Sequence, residues 1–398
     1  MISALFPPDV LGGAEMSAYN LARWMRDQGN EVGILTTAKS KAEEMLDVEV
    51  DGFRVWRIWM PRPYPQYHYA SASKWLKPIY HLLDHLDPRN RWIVRDTIKK
   101  FDPSYINVHF IQGIGYNALH EIGRQKVSTI FFLHDLGLAC VRMAMFRDGK
   151  ECPKQCTLCA LSSTWKAKLV AEVPKIGFCS PSRALLAKLS EFFPIQRYPN
   201  TSILNANKYP PATVPRVETE HVRFIYVGRL HASKGVAQLL EAAAQLALHH
   251  HFTLTITGNG PDEDTLRQVY GGAAWCRFTG FVSQAEVSNL MANSDVLCIP
   301  SIWLENSPGV VIQALGLGLP VIGSDKGGIP ELVRDGITGR LVPPGDIEAW
   351  REAMKEVLVE RKKLDVWRNN CASDRQRFEQ DSIGREIVAF QDQLNGHR

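Results

Sequence analysis

The sequence predicts an α/β protein of two doubly wound, Rossmann-like domains facing across a cleft. Three observations carry that expectation. Short runs rich in Val, Ile and Leu alternate with helical patterns, as in a parallel sheet covered on both faces. The length, 398 residues, exceeds what one ordinary core accommodates. An aperiodic stretch rich in Pro, Asn and Thr, NANKYPPATVPRVETE, divides the chain near its middle. The expected organisation is an N-terminal domain over 1–204, a linker over 205–220, a second domain over 221–375, and a C-terminal helix over 376–398 packing back on the first domain.

In the first half the strand candidates are NEVGILTT, RVWRIWM, YINVHF, STIFFLHD and KIGFCSPS. The second half is more regular. VRFIYVG reads as a buried strand, and KGVAQLLEAAAQLALHH as an amphipathic helix with Leu239, Leu240, Ala243 and Leu246 on one face. FTLTITG, RFTGFV, DVLCIPS and LPVIGSD continue the strands; PDEDTLRQVY, SQAEVSNLMANS and PGVVIQALGLG continue the helices. In open sheets of this kind ligands bind at the carboxyl ends of the strands.

Composition narrows the class. Hydrophobic residues make up 45% and charged residues 22%, as in a globular protein. The net charge of +4 comes without a dense basic stripe, so nucleic acid is not the expected partner. No apolar run reaches the length of a membrane span, and MISALF lacks the basic flank of a secretory signal. The eight cysteines have no even spacing, which suits a reducing, cytoplasmic setting.

Three stretches suit anions. In LENSPGVVIQALG, Asn306 or Ser307 is expected to cap a helix that opens with Pro308, and Gly309 leaves the adjacent amides uncovered. Val310, Val311, Ile312, Ala314 and Leu315 make that helix apolar all round, so Gln313 within it needs a partner, either backbone or ligand. Glu305 precedes the helix, where it either serves a ligand or answers the helix dipole. Arg229 and Lys234 follow the strand FIYVG beside a helix start and suit a diphosphate. Gly12 and Gly13 open a helix after a Pro turn, where backbone can approach a phosphate.

Taken in order, GGAE, HD at 134–135, VGRLHASKG, TGNGP, GFV and PSIWLENSPGVVIQALGLGLPVIGSDKGGIPELV resemble the retaining glycosyltransferases of family four. The resemblance implies the GT-B architecture, a UDP- or GDP-linked sugar donor, and metal-independent transfer with retention, no cofactor being required. It places Arg229 and Lys234 on the donor diphosphate. Glu305 falls at the first acid of the family's E-x7-E pair, on the transferred sugar. Asn306, Ser307, Pro308, Gly309 and Val310 fall on the amides around sugar and phosphate. Gly13, with Gly12, falls at the phosphate, His134 at the sugar from the opposing domain, and Val282 at the nucleobase. The second acid, which holds the ribose, is Gln313 here, a departure that keeps hydrogen bonding and loses charge. The implied acceptor is a saccharide or a lipid-linked saccharide of cell-envelope polysaccharide synthesis. The competing readings are a sugar-nucleotide-binding protein without transfer, and an epimerase or hydrolase of the same architecture.

Three further features stand apart. Asp262-Glu263-Asp264 has a metal-binding DxD spacing, but at a helix start acids answer the dipole, so no metal is assigned. Cys152, Cys156 and Cys159, with Cys140 upstream, have spacing that permits zinc or an iron–sulfur cluster and equally suits free thiols. Between Arg54 and Lys100, Trp56, Trp59, Tyr64, Tyr67, Tyr69, Trp75 and Tyr80 mix with Arg54, Arg57, Arg62, Lys74 and Lys77. That mixture suits either strand core beside a solvated loop or a peripheral contact at the inner face of a membrane.

Overall fold

The structure is a computed structural model that describes residues 1–68, 71–73, 75–147 and 150–396. Tyr69 and Lys74 of the aromatic and basic stretch lie outside the described residues. The chain forms two compact units. The first comprises residues Met1–Met145, Cys152–Asn207 and the chain from Ile383 onward; the second comprises Phe146–Glu151 and Lys208–Ser382.

The first unit runs β1 (Ile2–Ser3), α1 (Gly13–Asp27), β2 (Gly33–Thr37), β3 (Met45–Val50), β4 (Phe53–Ile58), α2 (Lys77–Leu86), α3 (Arg89–Phe101), β5 (Tyr105–Phe110), α4 (Ala118–Gln125) and β6 (Ser128–Phe132). A short hairpin, β7 (Phe146–Arg147) and β8 (Lys150–Glu151), belongs to the second unit. The first unit resumes with α5 (Thr157–Ala171), β9 (Ile176–Ser180), α6 (Arg183–Ser190) and β10 (Asn200–Ser202). Its sheet has the order β10-β9-β6-β5-β1-β2-β4-β3. Every pairing is parallel except β3 on β4. That antiparallel edge strand departs from the all-parallel alternation. Its residues 46–50 are exposed, and paired charges such as Arg54 with Asp47 at 2.9 Å guard the edge.

The second unit runs β11 (Val222–Val227), α7 (Val236–Leu246), β12 (Phe252–Thr257), α8 (Glu263–Tyr270), β13 (Cys276–Gly280), α9 (Gln284–Ala292), β14 (Val296–Ile299), α10 (Gly309–Gly316), β15 (Val321–Ser324), α11 (Ile329–Leu332), β16 (Gly339–Val342), α12 (Ile347–Val359) and α13 (Lys362–Ser373). Its sheet is wholly parallel, in the order β13-β12-β11-β14-β15-β16. Leu239, Leu240, Ala243 and Leu246 of α7 all lie in the core with Phe224, Leu254 and Trp350. Each such fully buried large side chain stabilises the fold by roughly 1.5–3 kcal/mol.

Residues 208–220, expected as a linker, are bonded to the second unit. Thr213 N donates to Asn289 Oδ1 at 2.8 Å, Ser288 Oγ donates to the Pro210 carbonyl at 2.7 Å, and Arg216 pairs with Asp295. The last helix, α14 (Gln380–Asn395), buries Ile383, Ile387 and Phe390 among Leu21, Trp24, Ile130 and Phe132 of the first unit. Gln391 donates to Asn107 Oδ1 at 2.6 Å.

In the aromatic and basic stretch, Trp56, Tyr64 and Tyr80 are core, and Arg57 is buried against Asp9 at 3.0 Å. The exposed apolar surface lies instead on α2, which turns Tyr80 and Asp84 inward and leaves Ile79, Leu82 and Leu86 outside beside Trp75.

Candidate active site

Doubly wound sheets open a crevice where two neighbouring strands send their connections to opposite sides. In the second unit that point lies between β11 and β14, and the predicted residues are the ones that follow these two strands. After β11 comes Gly228, then exposed Arg229 and a single 3-10 turn, Ala232–Lys234, started by His231, whose Nδ1 accepts from Ser233 N at 3.1 Å. Gly235 ends that turn at φ +68 and seeds α7; a Cβ there would overlap the Pro300 carbonyl. The turn aims Lys234 across the switch point. Its Nζ lies 2.6 Å from Glu305 Oε1 and 4.8 Å from the centre of the Trp303 ring.

Glu305, after β14, is only 7% exposed. The same Oε1 also accepts from Ser301 Oγ at 2.6 Å. Its backbone is held as well: Gly328 N donates to the Glu305 carbonyl at 2.8 Å, and Gly327, at φ +61, packs against it so closely that a Cβ would overlap. Asn306, Ser307, Pro308, Gly309 and Val310 follow, all half-buried. Ser307 Oγ is buried with no hydrogen-bond partner among the described residues. The cap of α10 corrects an expectation. Pro308, with φ −66 and ψ 114, is itself the N-cap, no side chain caps it, and the helix begins at Gly309. Among the described residues no side chain covers its first amides.

Gln313 brings a second correction. It is 2% exposed, and the partners it has are side chains of α9 rather than backbone. Its Oε1 accepts from Gln284 Nε2 at 2.7 Å, and its Nε2 donates to Ser288 Oγ at 2.9 Å. Both partners lie on one face of α9, four residues apart. Gln284 is exposed, as are its neighbours Phe281 and Ser283; Val282, in the loop before α9, is half-buried. Asp262 stands at the N-cap position of α8 without a side-chain cap bond, and Glu263 in the first turn accepts from Arg267, four residues on, at 2.9 Å.

In the first unit the corresponding point lies between β1 and β5. Gly12 is the N-cap of α1, and its amide donates to Glu15 Oε2 at 2.9 Å. Burial raises the Glu15 pKa, against the hydrogen bonds that its carboxylate accepts. Gly12 and Gly13 are exposed, and nothing lies within 4 Å of the place a Gly13 Cβ would take. His134 follows β6 and is half-buried. Its Nε2 lies 3.0 Å from His109 Nδ1, and the rings stack at 5.3 Å. Burial lowers the His134 pKa to about 4 and holds His109 well below the ordinary value, so the two imidazoles share a hydrogen bond as neutral rings. Asp135, beside them, is pushed up to about 6 by burial.

Sequence reasoning missed Ser301, Trp303, Gly327 and Gln284, which support the predicted residues rather than stand among them. Ser301 and Trp303 lie within the PSIWLENSPG motif. Gln284 carried no local signal, since its partner Gln313 is 29 positions away. Among the described residues, no group of three or more His, Cys, Asp or Glu side chains is placed to hold a metal ion.

A parallel doubly wound unit whose switch point carries a Lys–Glu pair and an uncovered helix start has the build of an anion-binding crevice. The comparisons give the family. The pattern of the glycosyl transferases group 1 matches residues 214–374, and that of the glycosyl transferase 4-like domain matches residues 12–173. The phosphatidyl-myo-inositol mannosyltransferase of Mycobacterium leprae is 33% identical over 375 residues, covering 88% of this chain and 84% of that protein. Sucrose-phosphate synthase from Thermosynechococcus elongatus has the same fold, with a TM-score of 0.73 at 18% identity over 100% of both chains. So does Anabaena HepE, solved in complex with UDP, with a TM-score of 0.68 at 17% identity over 98% of both chains. The chain belongs to the group 1, family-four glycosyltransferases, and its fold is GT-B.

Proposed function

We propose that the protein is a retaining, metal-independent hexosyltransferase. It moves a hexose-type sugar from a UDP- or GDP-linked donor to a saccharide or lipid-linked acceptor in cell-envelope polysaccharide synthesis. The observation that supports this most is the convergence of Lys234, Glu305 and the uncovered start of α10 on one switch point. Lys234 and Arg229 stabilise the charge that develops on the departing diphosphate, and the amides of Gly309 and Val310 add to it. Glu305, anchored by Ser301, accepts from sugar hydroxyls, and Ser307 Oγ is the second polar contact. The leaving phosphate takes the acceptor's proton on the face of attack, which retains the anomeric configuration. His134, kept neutral, hydrogen-bonds the sugar. Gly12 and Gly13 admit the phosphate, and Val282 borders the base. Gln313 acts at the ribose through Gln284, whose Nε2 it engages while the Gln284 carbonyl oxygen stays available to a hydroxyl.

Transfer from the donor in the presence of EDTA tests the reaction; activity lost to EDTA and restored by Mg²⁺ or Mn²⁺ would overturn metal independence. Lys234→Ala is expected to weaken UDP or GDP binding by roughly 1.5–3 kcal/mol, the worth of a hydrogen bond to a charged group. Unchanged nucleotide affinity in that variant would remove Lys234 from the site.

The acceptor side of the proposal includes peripheral contact with the inner face of a membrane. Among the described residues no helix is long and apolar enough to cross one. Trp75 is 88% exposed, and with Ile79, Leu82 and Leu86 it forms an exposed apolar stripe at helical spacing. Flotation with anionic vesicles, reduced in a Trp75→Ser, Leu82→Ser double variant, is the expected result. No flotation of the parent protein would remove the membrane contact.

A further inference from the structure

The cysteines upstream of α5 take no part in the chemistry above, yet two of them meet a third on the helix itself. Cys156 is the N-cap of the fifteen-residue α5, in an extended conformation, and it is exposed. Cys159, one turn on, is buried, and its Sγ lies 3.8 Å from the Sγ of buried Cys140. The amide and thiol of Cys159 and the amide of Leu158 hydrogen-bond the Cys156 sulfur and lower its pKa. Burial pushes the Cys159 thiol up to about 12. An exposed thiol stabilised as thiolate at a helix start, with a protonated thiol beneath it, is the arrangement of a reactive pair. All eight cysteines are free thiols; outside this cluster Cys179, Cys276, Cys298 and Cys371 are buried, and Cys152 is half-buried.

We propose that Cys156 and Cys159 form a reversible dithiol–disulfide site that reacts with hydroperoxides, with Cys156 attacking and Cys159 resolving. The Cys156 thiolate attacks one peroxide oxygen: an S–O bond forms, the O–O bond breaks, and the alcohol or water leaves with a proton. Cys156 is oxidised to the sulfenic acid as the peroxide is reduced. The Cys159 sulfur then attacks the Cys156 sulfur: the S–S bond forms, the S–O bond breaks, and hydroxide leaves with the Cys159 proton as water. A dithiol reductant reverses the oxidation by disulfide exchange. Helix α5 is tied to the loop after His134 by Lys166, whose Nζ donates to the Gly137 carbonyl at 2.7 Å, and Gln155 just before it donates to the Ala139 carbonyl at 2.7 Å. The thiol pair is thus built into the support of that loop.

The test uses the full chain, reduced, desalted and assayed for bound metal, then exposed to stoichiometric hydrogen peroxide. The expected result is loss of two of the eight thiols, recovered by dithiothreitol, with a Cys156–Cys159 disulfide in the peptide map. Cys156→Ser should keep its remaining thiols under the same exposure, and Cys159→Ser should accumulate a dimedone-reactive sulfenic acid at Cys156. Because Cys156 is exposed, its serine variant is expected to melt with the parent, which separates lost reactivity from lost fold. Retention of all thiols in the parent protein overturns the proposal, as does a Cys156 sulfenic acid that never closes onto Cys159. Stoichiometric zinc in the purified protein, shielding these thiols until it is chelated, also overturns it and assigns the cluster to a metal.

Discussion

Lys234 with Glu305 in the second unit and His109 with His134 in the first are both pairs of titratable side chains at strand ends, 2.6 and 3.0 Å apart. They solve the same desolvation problem in opposite ways. Lys234 and Glu305 carry opposite charges and satisfy each other, and Ser301 takes part of what remains. The two histidines stay neutral further into acid than a free imidazole would, because burial disfavours the protonated form of each. The glycines differ in the same sense. Gly235 and Gly327 are pressed against the carbonyls of Pro300 and Glu305, whereas Gly13 faces open space. The second unit's loops are therefore fixed by direct contact before any ligand arrives, and the glycine loop of the first is shaped to leave room.

The largest expected effect comes from filling one glycine in each unit. Gly327→Ala must bear a left-handed conformation and an overlap with the Glu305 carbonyl, a cost of about 2–5 kcal/mol. Thermal melting should show the second unit destabilised and transfer nearly lost. Gly13→Ala meets nothing within 4 Å and should melt like the parent; if the open space receives a phosphate, its nucleotide affinity alone should fall. Equal melting losses in both variants would break the contrast.

Acid should separate the units next. His81, His85 and His134 have pKa values lowered by burial to about 4, and His109 is also lowered. The unfolded chain binds these protons from about pH 6.5 downward, so first-unit stability falls between pH 6.5 and 4. Asp84 and Asp135, raised to about 6 by burial, oppose this, since they favour the folded state as pH drops below 6. Glu15, also raised by burial, acts in the same sense as these two acids; four lowered histidines against three raised acids leave a net loss. A loss of about 2 kcal/mol lowers Tm by roughly 4–8 °C. In the second unit burial opposes ionisation of Asp295, but hydrogen bonds from Arg223 and Arg216 outweigh it and hold the carboxyl below its ordinary range. That contribution is lost only at more acidic pH. Calorimetry at pH 7 and pH 5, with proteolysis to identify the unit that opens, should find the first unit unfolding earlier at pH 5.

The smallest effect is expected inside α10. Gln313→Leu leaves Gln284 without an acceptor and Ser288 without a donor, a loss of about 1–2 kcal/mol. Melting should register it in the second unit alone. A several-fold rise in donor KM would accompany it if Gln284 meets the ribose, and an unchanged KM would restrict Gln313 to structure.

The second unit was the more legible of the two. Its strands are unbroken apolar runs such as Phe224–Val227 and Val296–Ile299, so periodicity alone found them. The edge strand Met45–Val50 escaped because its exposed acids mimic a loop. Helix α2 escaped because its inner face carries Tyr80 and Asp84 while its outer face is apolar, the reverse of the usual pattern. At the site, residue types at strand ends were readable from local order. The partners of Gln313 were not, since they come from α9, and nothing local distinguishes a helix capped by Pro308 from one capped by Asn306 or Ser307.

The path of the chain has a practical outcome for making hybrids with relatives. The first unit is not a contiguous gene segment: Ile383, Ile387 and Phe390 complete its interior from the far end of the sequence. Truncation after Asn207 would uncover Trp24 and Leu21 and strand Asn107 without Gln391. Exchange of second units between relatives should therefore treat 208–379, together with the hairpin 146–151, as a cassette spliced into a host, with the closing helix from Gln380 left under the host's own sequence.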